Sequence, residues 1–422
     1  MNNDYLPRIA DKKMSLALQS AGAVLIVGPK WCGKTETAKQ FAKSTLFMQH
    51  PDFAENYLKM ASLKPSELLE GKTPRLIDEW QDAPTLWNAV RFTVDQRKKK
   101  GQFILTGSVI PKMGKNMHSG TGRISRVTMQ TMSLFESKES TGEISLSDLF
   151  DGKTEMIGTS KQSIDEIAYI LLRGGWPETV KEKNTEVTMK TVLDYVEVMI
   201  NDDMSRVDGK KRNSARVRSL LRSIARHISS PVKNSTILDD LTANDETISD
   251  KTIADYINAL KKLYIIDDLP IWRAAMRSKT AMRTTPKRHL TDPSIASVLL
   301  GANKEKLFND FKTFGLLFES MVVRDLRVYA DSLNGKVFYY RDKLGNEVDA
   351  IVELSDGRWG AIEVKMGSDE EEKAALNLLK FKKKVNTEKM GMPSFLAIVT
   401  ATQIAYQRDD GVWVVPLGCL KD

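Results

Sequence analysis

Between Gly28 and Thr35 the chain reads GPKWCGKT, two glycines followed by a lysine and a hydroxyl residue at the spacing G-x-x-x-x-G-K-[ST]. That spacing suits a loop wrapped around a row of phosphates. Backbone N–H groups of the loop and the following helix N-terminus face the anion, the lysine reaches the β- and γ-phosphates, and the hydroxyl faces a magnesium ion. Gly28, Pro29, Lys30, Trp31, Cys32, Gly33, Lys34, Thr35 and Glu36 are therefore the candidate nucleotide contacts, with ATP and Mg²⁺ the expected ligands. The plainer alternative is a Gly-containing turn between a strand and a helix.

Such a loop needs a carboxylate brought to the metal from another strand. RLIDEW ends a short apolar run in Asp78 and Glu79. Asp78 is the candidate metal partner beside Thr35, and Glu79 the group that orients or deprotonates the attacking water. In QFILTGS, Thr106 and Ser108 close a third apolar run, at the strand end where such sheets present ligand-contacting groups. Either hydroxyl is placed to sense a γ-phosphate. Arg123 and Arg126, in GTGRISRV, are candidates for a transition-state cation, in cis or from a neighbouring subunit.

The elements that must position these residues are legible too. AGAVLIVG reads as a buried strand, and KTETAKQFAK as a helix opening at Lys34. GPKWCGKTETA, PRLIDEWQDAPTLWNAVR, GQFILTGS and GGWPE resemble, in order along nearly the whole chain, AAA-superfamily ATP-binding proteins of bacteria and archaea that end in a domain of unknown function. The resemblance implies an ATPase and leaves its task open. Trp80 stands where that family has an aliphatic residue after the acidic pair.

A second constellation lies near the C-terminus. KVFYYRDKLGNEVDAIVELSDGRWGAIEVKMGS reads as three strands parted by the turn signals LGN and SDG. Asp349 falls on the second strand, and Glu363 and Lys365, two apart, point to one face of the third. A preceding helix, FGLLFESMVVRDLRVYA, brings Glu319. This order of helix, strands, helix and strands resembles the PD-(D/E)xK nuclease superfamily, with Val348 where its name has proline. The resemblance implies that Asp349 and Glu363, with Glu319 assisting, bind one or two Mg²⁺ ions, and that Lys365 positions water or stabilises charge on a phosphate. The alternative is a nuclease-like fold whose polar residues line a sheet edge or hold another ligand.

Between the two constellations the pattern is helical. SIDEIAYILLRGG is amphipathic, capped by Ser163 and stopped at Gly174 and Gly175. After residue 212 come SARVRSLLRSIARHI, STILDDLTA, SDKTIADYINALKKLYII and DDLPIW, the order of a winged helix. Arg218, Arg222 and Arg226, at four-residue spacing, and the Arg273–Arg288 stretch are the candidate DNA contacts.

The chain of 422 residues, 41% hydrophobic and 28% charged with net charge +8, is long enough for several domains. The expected architecture is α/β multidomain. It comprises a P-loop NTPase parallel sheet (1–140), a helical lid (141–205), a winged-helix connector (206–290) and a C-terminal α/β restriction-endonuclease-like domain (291–422). Two cysteines and four scattered histidines exclude a disulfide framework or a Cys/His zinc site. No run is apolar enough for a membrane span, and MNNDYLPRIADKK lacks a signal-peptide core, so a cytoplasmic protein is expected. The expected function is an ATPase that processes nucleic acid, nucleotide state controlling the C-terminal site, in a chain able to form homo-oligomers. The alternative is a nucleotide-dependent switch or scaffold with an inactive C-terminal domain. A third is a DNA-stimulated ATPase with a vestigial nuclease domain.

Overall fold

The computed structural model describes residues 5–107, 119–243, 248–273, 285–385 and 387–422. The chain falls into two compact units. One comprises Met1–Gln130, Asp203–Lys211 and Lys262–Tyr264, and the other Thr131–Asp202, Arg212–Lys261 and Ile265–Asp422.

The first unit is built on five parallel strands: β1 (Ala23–Val27), β2 (Ser44–Phe47), β3 (Arg75–Asp78), β4 (Phe103–Thr106) and β5 (Ile124–Thr128). Their order across the sheet is β2–β3–β4–β1–β5. Every residue of β1, AVLIV, is buried, as befits a parallel strand covered on both faces. Alternation divides it between two cores. Ala23, Leu25 and Val27 pack with Leu46, Ile77, Phe103 and Leu105, whereas Val24 and Ile26 pack with Leu76, Ile104 and Val127. Each of these valines, leucines, isoleucines and the phenylalanine contributes about 1.5–3 kcal/mol when fully buried.

In the second unit, the helix Ile164–Arg173 opens on a capping box between Ser163 and Glu166 and ends at Gly174. The helix Thr185–Val198 runs into a π-helical turn, Met199–Asp203. Three further helices follow: Ser214–Arg226, Asn234–Thr242 and Asp250–Lys262. Val217, Leu220, Leu221 and Ile224 form the buried stripe of the first. Antiparallel bridges then join Ile266 to Leu290, Leu269 to Lys287 and Pro231 to Lys287, and a parallel bridge joins Ile271 to Tyr339.

The larger sheet of this unit is mixed. After two short strands, β6 (Ile144–Ser145) and β7 (Gly158–Thr159), come β8 (Gly335–Arg341), β9 (Glu347–Leu354), β10 (Trp359–Lys365), β11 (Phe395–Thr400), β12 (Ile404–Gln407), β13 (Trp413–Pro416) and β14 (Leu420–Lys421). Seven of them run in the order β7–β12–β13–β11–β10–β9–β8, while β6 pairs with β14. β8, β9 and β10 are antiparallel neighbours, and β10, β11 and β13 are parallel. The helix Phe311–Ser332 packs on β8, β9 and β10, and the helix Glu371–Lys384 on β9, β10 and β11. Trp272, Trp359, Ile351, Leu378 and Phe381 anchor the core on one side. Among the described residues no helix is long and apolar enough to cross a membrane.

Candidate functional site

At the C-terminal end of β1 the loop turns on Gly28 (φ 149°) and Gly33 (φ 98°), and the helix Lys34–Phe41 begins. A Cβ on Gly28 would stand 2.2 Å from the Met129 carbonyl oxygen, so only glycine fits there. The Lys34 side chain is buried, and its Nζ donates to the carbonyls of Gly28 (3.1 Å) and Pro29 (2.7 Å). Cys32 is fully buried beneath the loop, and Trp31 lies partly exposed at φ 67°. Arg8 ties the loop from below, donating to the Cys32 carbonyl at 2.7 Å and the Gln130 carbonyl at 2.8 Å. Lys30 pairs with Asp203, whose side chain is buried. Glu36 points outward and pairs with Lys39.

Two strands over from β1, β3 ends at Asp78. The intervening strand is β4, and its Thr106 lies in register with Asp78. Asp78 Oδ1 accepts hydrogen bonds from Thr106 Oγ1 (2.6 Å) and Thr35 Oγ1 (2.7 Å). Three sequence-expected residues on three elements thus meet on one oxygen. Glu79 follows in a left-handed conformation, φ 55° and ψ 44°, which costs a non-glycine residue about 1–3 kcal/mol and is typical of functional positions. Burial pushes its carboxyl above the ordinary range, against the hydrogen bond from Gln81 Nε2 and the nearby charge of Lys34. The Thr35 hydroxyl and the Asp78 carboxylate are the oxygen donors that Mg²⁺ favours, so this end of the sheet fits a magnesium nucleotide.

Arg123 is exposed and its Nε donates to Asp95 at 2.9 Å. Arg126 is exposed on β5. Ser108 lies outside the described residues, as do residues 274–284 of the Arg273–Arg288 stretch.

In the second unit, Glu319, Asp349, Glu363 and Lys365 lie in one cluster, joined there by three residues that sequence reasoning did not single out. Lys287, its side chain 1% exposed, places Nζ 2.7 Å from Glu347, 2.8 Å from Glu319 and 3.2 Å from Asp349. Lys365 Nζ lies 3.2 Å from Glu363 and 3.8 Å from Asp349. Asn377 donates to Glu363 Oε1 at 2.6 Å and to the Glu347 carbonyl at 2.8 Å, and the Val364 N–H donates to Asp349 Oδ2 at 2.9 Å. Burial raises Glu319 to about 8, with the Asp349 charge adding to it and Lys287 opposing. Burial likewise raises Glu363 to about 8. Asp349 instead falls below its ordinary value: burial opposes this, but Lys287 and Lys365 outweigh it. Burial also works against the Lys287 charge, yet Asp349, Glu319 and Glu347 hold its pKa well above the ordinary value.

This cluster does not fit the metal that the nuclease resemblance implies. Its carboxylates surround an ammonium at hydrogen-bonding distances, and among the described residues no group of three or more Asp, Glu, His or Cys side chains converges on a metal position. The basic faces also differ from a free phosphate-binding surface. Arg218 makes a two-pronged pair with Glu197 at 2.6 Å for each bond, and Arg226 lies 3.7 Å from Asp240, while Arg222 is exposed. Lys287 and Arg288 are buried, Arg288 pairing with Asp268 at 2.8 Å, so neither can contact DNA as placed.

Residues 20–138 match the family described as an AAA domain. The N-terminal domain is an AAA-type ATPase domain. Beyond this AAA domain, residues 164–306 match a domain of unknown function (DUF8612) and residues 314–420 another (DUF4143). Uncharacterized proteins of Mycobacterium tuberculosis and Mycobacterium bovis are each 23% identical over 364 residues, 86% of this chain and 74% of theirs. Among solved structures, a Walker-type ATPase of Pyrococcus abyssi has a TM-score of 0.44 at 19% identity, over 71% of this chain and 97% of that one. A signal-transduction ATPase with numerous domains and a tetratricopeptide repeat sensor, from Pyrococcus horikoshii, has a TM-score of 0.25 at 14% identity, over 78% of this chain and 49% of that one.

Proposed function

We propose that the AAA domain binds and hydrolyses ATP at Gly28–Glu36, Asp78, Glu79 and Thr106, and that the protein uses its nucleotide state as a switch. The observation that carries this reading is the meeting of Thr35 and Thr106 on one Asp78 oxygen. Backbone N–H groups of the loop hold the phosphates, and Lys34, now folded onto the Gly28 and Pro29 carbonyls, turns its ammonium to the β- and γ-oxygens. Mg²⁺, held by Thr35 and Asp78, would neutralise charge on those oxygens. Glu79, aimed by its left-handed backbone and restrained by Gln81, takes the proton of the attacking water. Thr106 fixes the Asp78 rotamer at the edge of that site. Arg123 serves as the transition-state cation only once released from Asp95.

For the second unit we read the three helices Ser214–Arg226, Asn234–Thr242 and Asp250–Lys262, with their antiparallel bridges, as a winged-helix module. We read the seven-stranded sheet as a PD-(D/E)xK-like fold. The Mg²⁺-dependent nuclease version of this reading requires a metal position where Lys287 stands, so the switch is favoured. Its test measures ATP turnover and sedimentation with ATP, ADP or no nucleotide, with and without DNA. Turnover with a nucleotide-dependent change of assembly and no strand scission supports the switch. Scission lost in Lys365→Ala overturns it in favour of a nuclease.

A further inference from the structure

The nuclease-like cluster is arranged around a cation, and the chain supplies that cation itself. Lys287 lies on a short extended segment whose backbone is hydrogen-bonded on both sides. Its backbone exchanges two hydrogen bonds with Leu269, at 2.9 and 3.0 Å, and the neighbouring Arg288 N–H donates to the Ser230 carbonyl at 3.0 Å. Two residues upstream, the Thr285 carbonyl accepts from the Tyr339 hydroxyl, and the Tyr339 ring lies 5.6 Å from the Lys287 ammonium. The ammonium is therefore placed by backbone pairing and is not the mobile tip of a surface lysine.

An ammonium has three N–H donors. Two of them are given to carboxylates, Glu319 on helix Phe311–Ser332 at 2.8 Å and Asp349 on β9 at 3.2 Å, and the Glu347 carboxylate, also on β9, lies 2.7 Å away as an ion pair. Magnesium lies about 2.0–2.1 Å from its oxygens and calcium about 2.3–2.6 Å. The 2.8 and 3.2 Å contacts to Glu319 and Asp349 are hydrogen bonds from a nitrogen, longer than either metal's bonds. A second ammonium, Lys365, closes the other side through Glu363 and Asp349. A divalent ion entering this space would displace the buried ammonium from these carboxylates, or would sit against it with like-charge repulsion.

We propose that Lys287 is a resident cation which takes the place of a divalent metal in this cluster, so that the second unit is a clasp of helix and sheet and carries no metal-dependent chemistry there. This inference is independent of the ATP reading, because its test uses no nucleotide. The full-length protein is titrated with Mn²⁺ and free metal is followed by electron paramagnetic resonance. The wild type is expected to give the same Mn²⁺ binding as Glu363→Gln and Asp349→Asn. Lys287→Ala is expected to gain one site per chain, at least tenfold tighter than anything in the wild type, and to lose it when Asp349→Asn is added. Its melting temperature should rise with Mn²⁺ while that of the wild type does not. A wild-type site lost in Glu363→Gln overturns the proposal, as does a folded Lys287→Ala that gains nothing. Lys287→Met, which keeps the aliphatic stem, serves if Lys287→Ala does not fold. If neither folds, the comparison of wild type with Glu363→Gln decides alone.

Discussion

The Thr106 hydroxyl donates to Asp78 Oδ1 at 2.6 Å, from the strand that lies between the P-loop strand and the strand of Asp78. Thr35 shares the same oxygen at 2.7 Å, so the first residue after Lys34 and the ends of two further strands are locked together. A hydrogen bond to a charged group contributes about 1.5–3 kcal/mol, and about 1.4 kcal/mol is a factor of ten. Thr106→Val is accordingly expected to lower kcat/KM for magnesium ATP about tenfold or more, measured by steady-state phosphate release, and to lower the melting temperature by several degrees. An unchanged kcat/KM would show that Thr106 does not position Asp78.

Gly28→Ala is a sharper test of the loop. The new Cβ would meet the Met129 carbonyl at 2.2 Å, and φ 149° is strained for any residue with a Cβ. The loop must open, and ATP affinity is expected to fall by about two orders of magnitude, as measured by equilibrium titration with a fluorescent ATP analogue. The energy involved, about 3 kcal/mol, lies in the range of a single strained backbone position.

Stability should depend on pH through Glu319 and Glu363. Each is raised from 4.5 to about 8, so the folded state holds these protons more tightly than the unfolded chain. Their contribution is complete below about 4.5 and is lost as pH rises through about 8. The urea midpoint of the transition that reports the second unit is therefore expected to fall between pH 5 and pH 9. Glu319→Gln and Glu363→Gln should each flatten that decline, and a midpoint that rises over the same window would contradict the assignment.

Removing the buried Lys287 leaves the half-buried carboxylates of Glu319, Glu347 and Asp349 facing one another without their cation. Breaking a buried ion pair from one side costs about 3–5 kcal/mol. Lys287→Ala is expected to lose stability of that order in metal-free buffer, read from urea unfolding, whereas Arg222→Ala, on an exposed face, should change it little.

The nucleotide loop was legible because its residues are contiguous: Gly28, Gly33, Lys34 and Thr35 carry their geometry in their spacing. Asp78 and Glu79 were legible as the polar end of an apolar strand, and so were Asp349, Glu363 and Lys365 as positions on successive strands. What the strands' sequences do not carry is their order in the sheet. That order, with β4 between β3 and β1, decides that Thr106 reaches Asp78. Lys287 was hidden for a different reason. It precedes Glu319 by 32 residues and Asp349 by 62, and in TTPKRH it reads as one more base in a basic stretch. Only the tertiary fold distinguishes a buried ammonium from a surface one. The left-handed backbone of Glu79 and the Lys30–Asp203 pair likewise have no local sequence signal.

The most direct measurement is ATP binding and phosphate release by Glu79→Gln beside the wild type. If Glu79 takes the proton of the attacking water, the variant should bind ATP about as tightly as the wild type and turn it over about 10²–10⁴-fold more slowly. Wild-type turnover in Glu79→Gln would contradict the site as assigned.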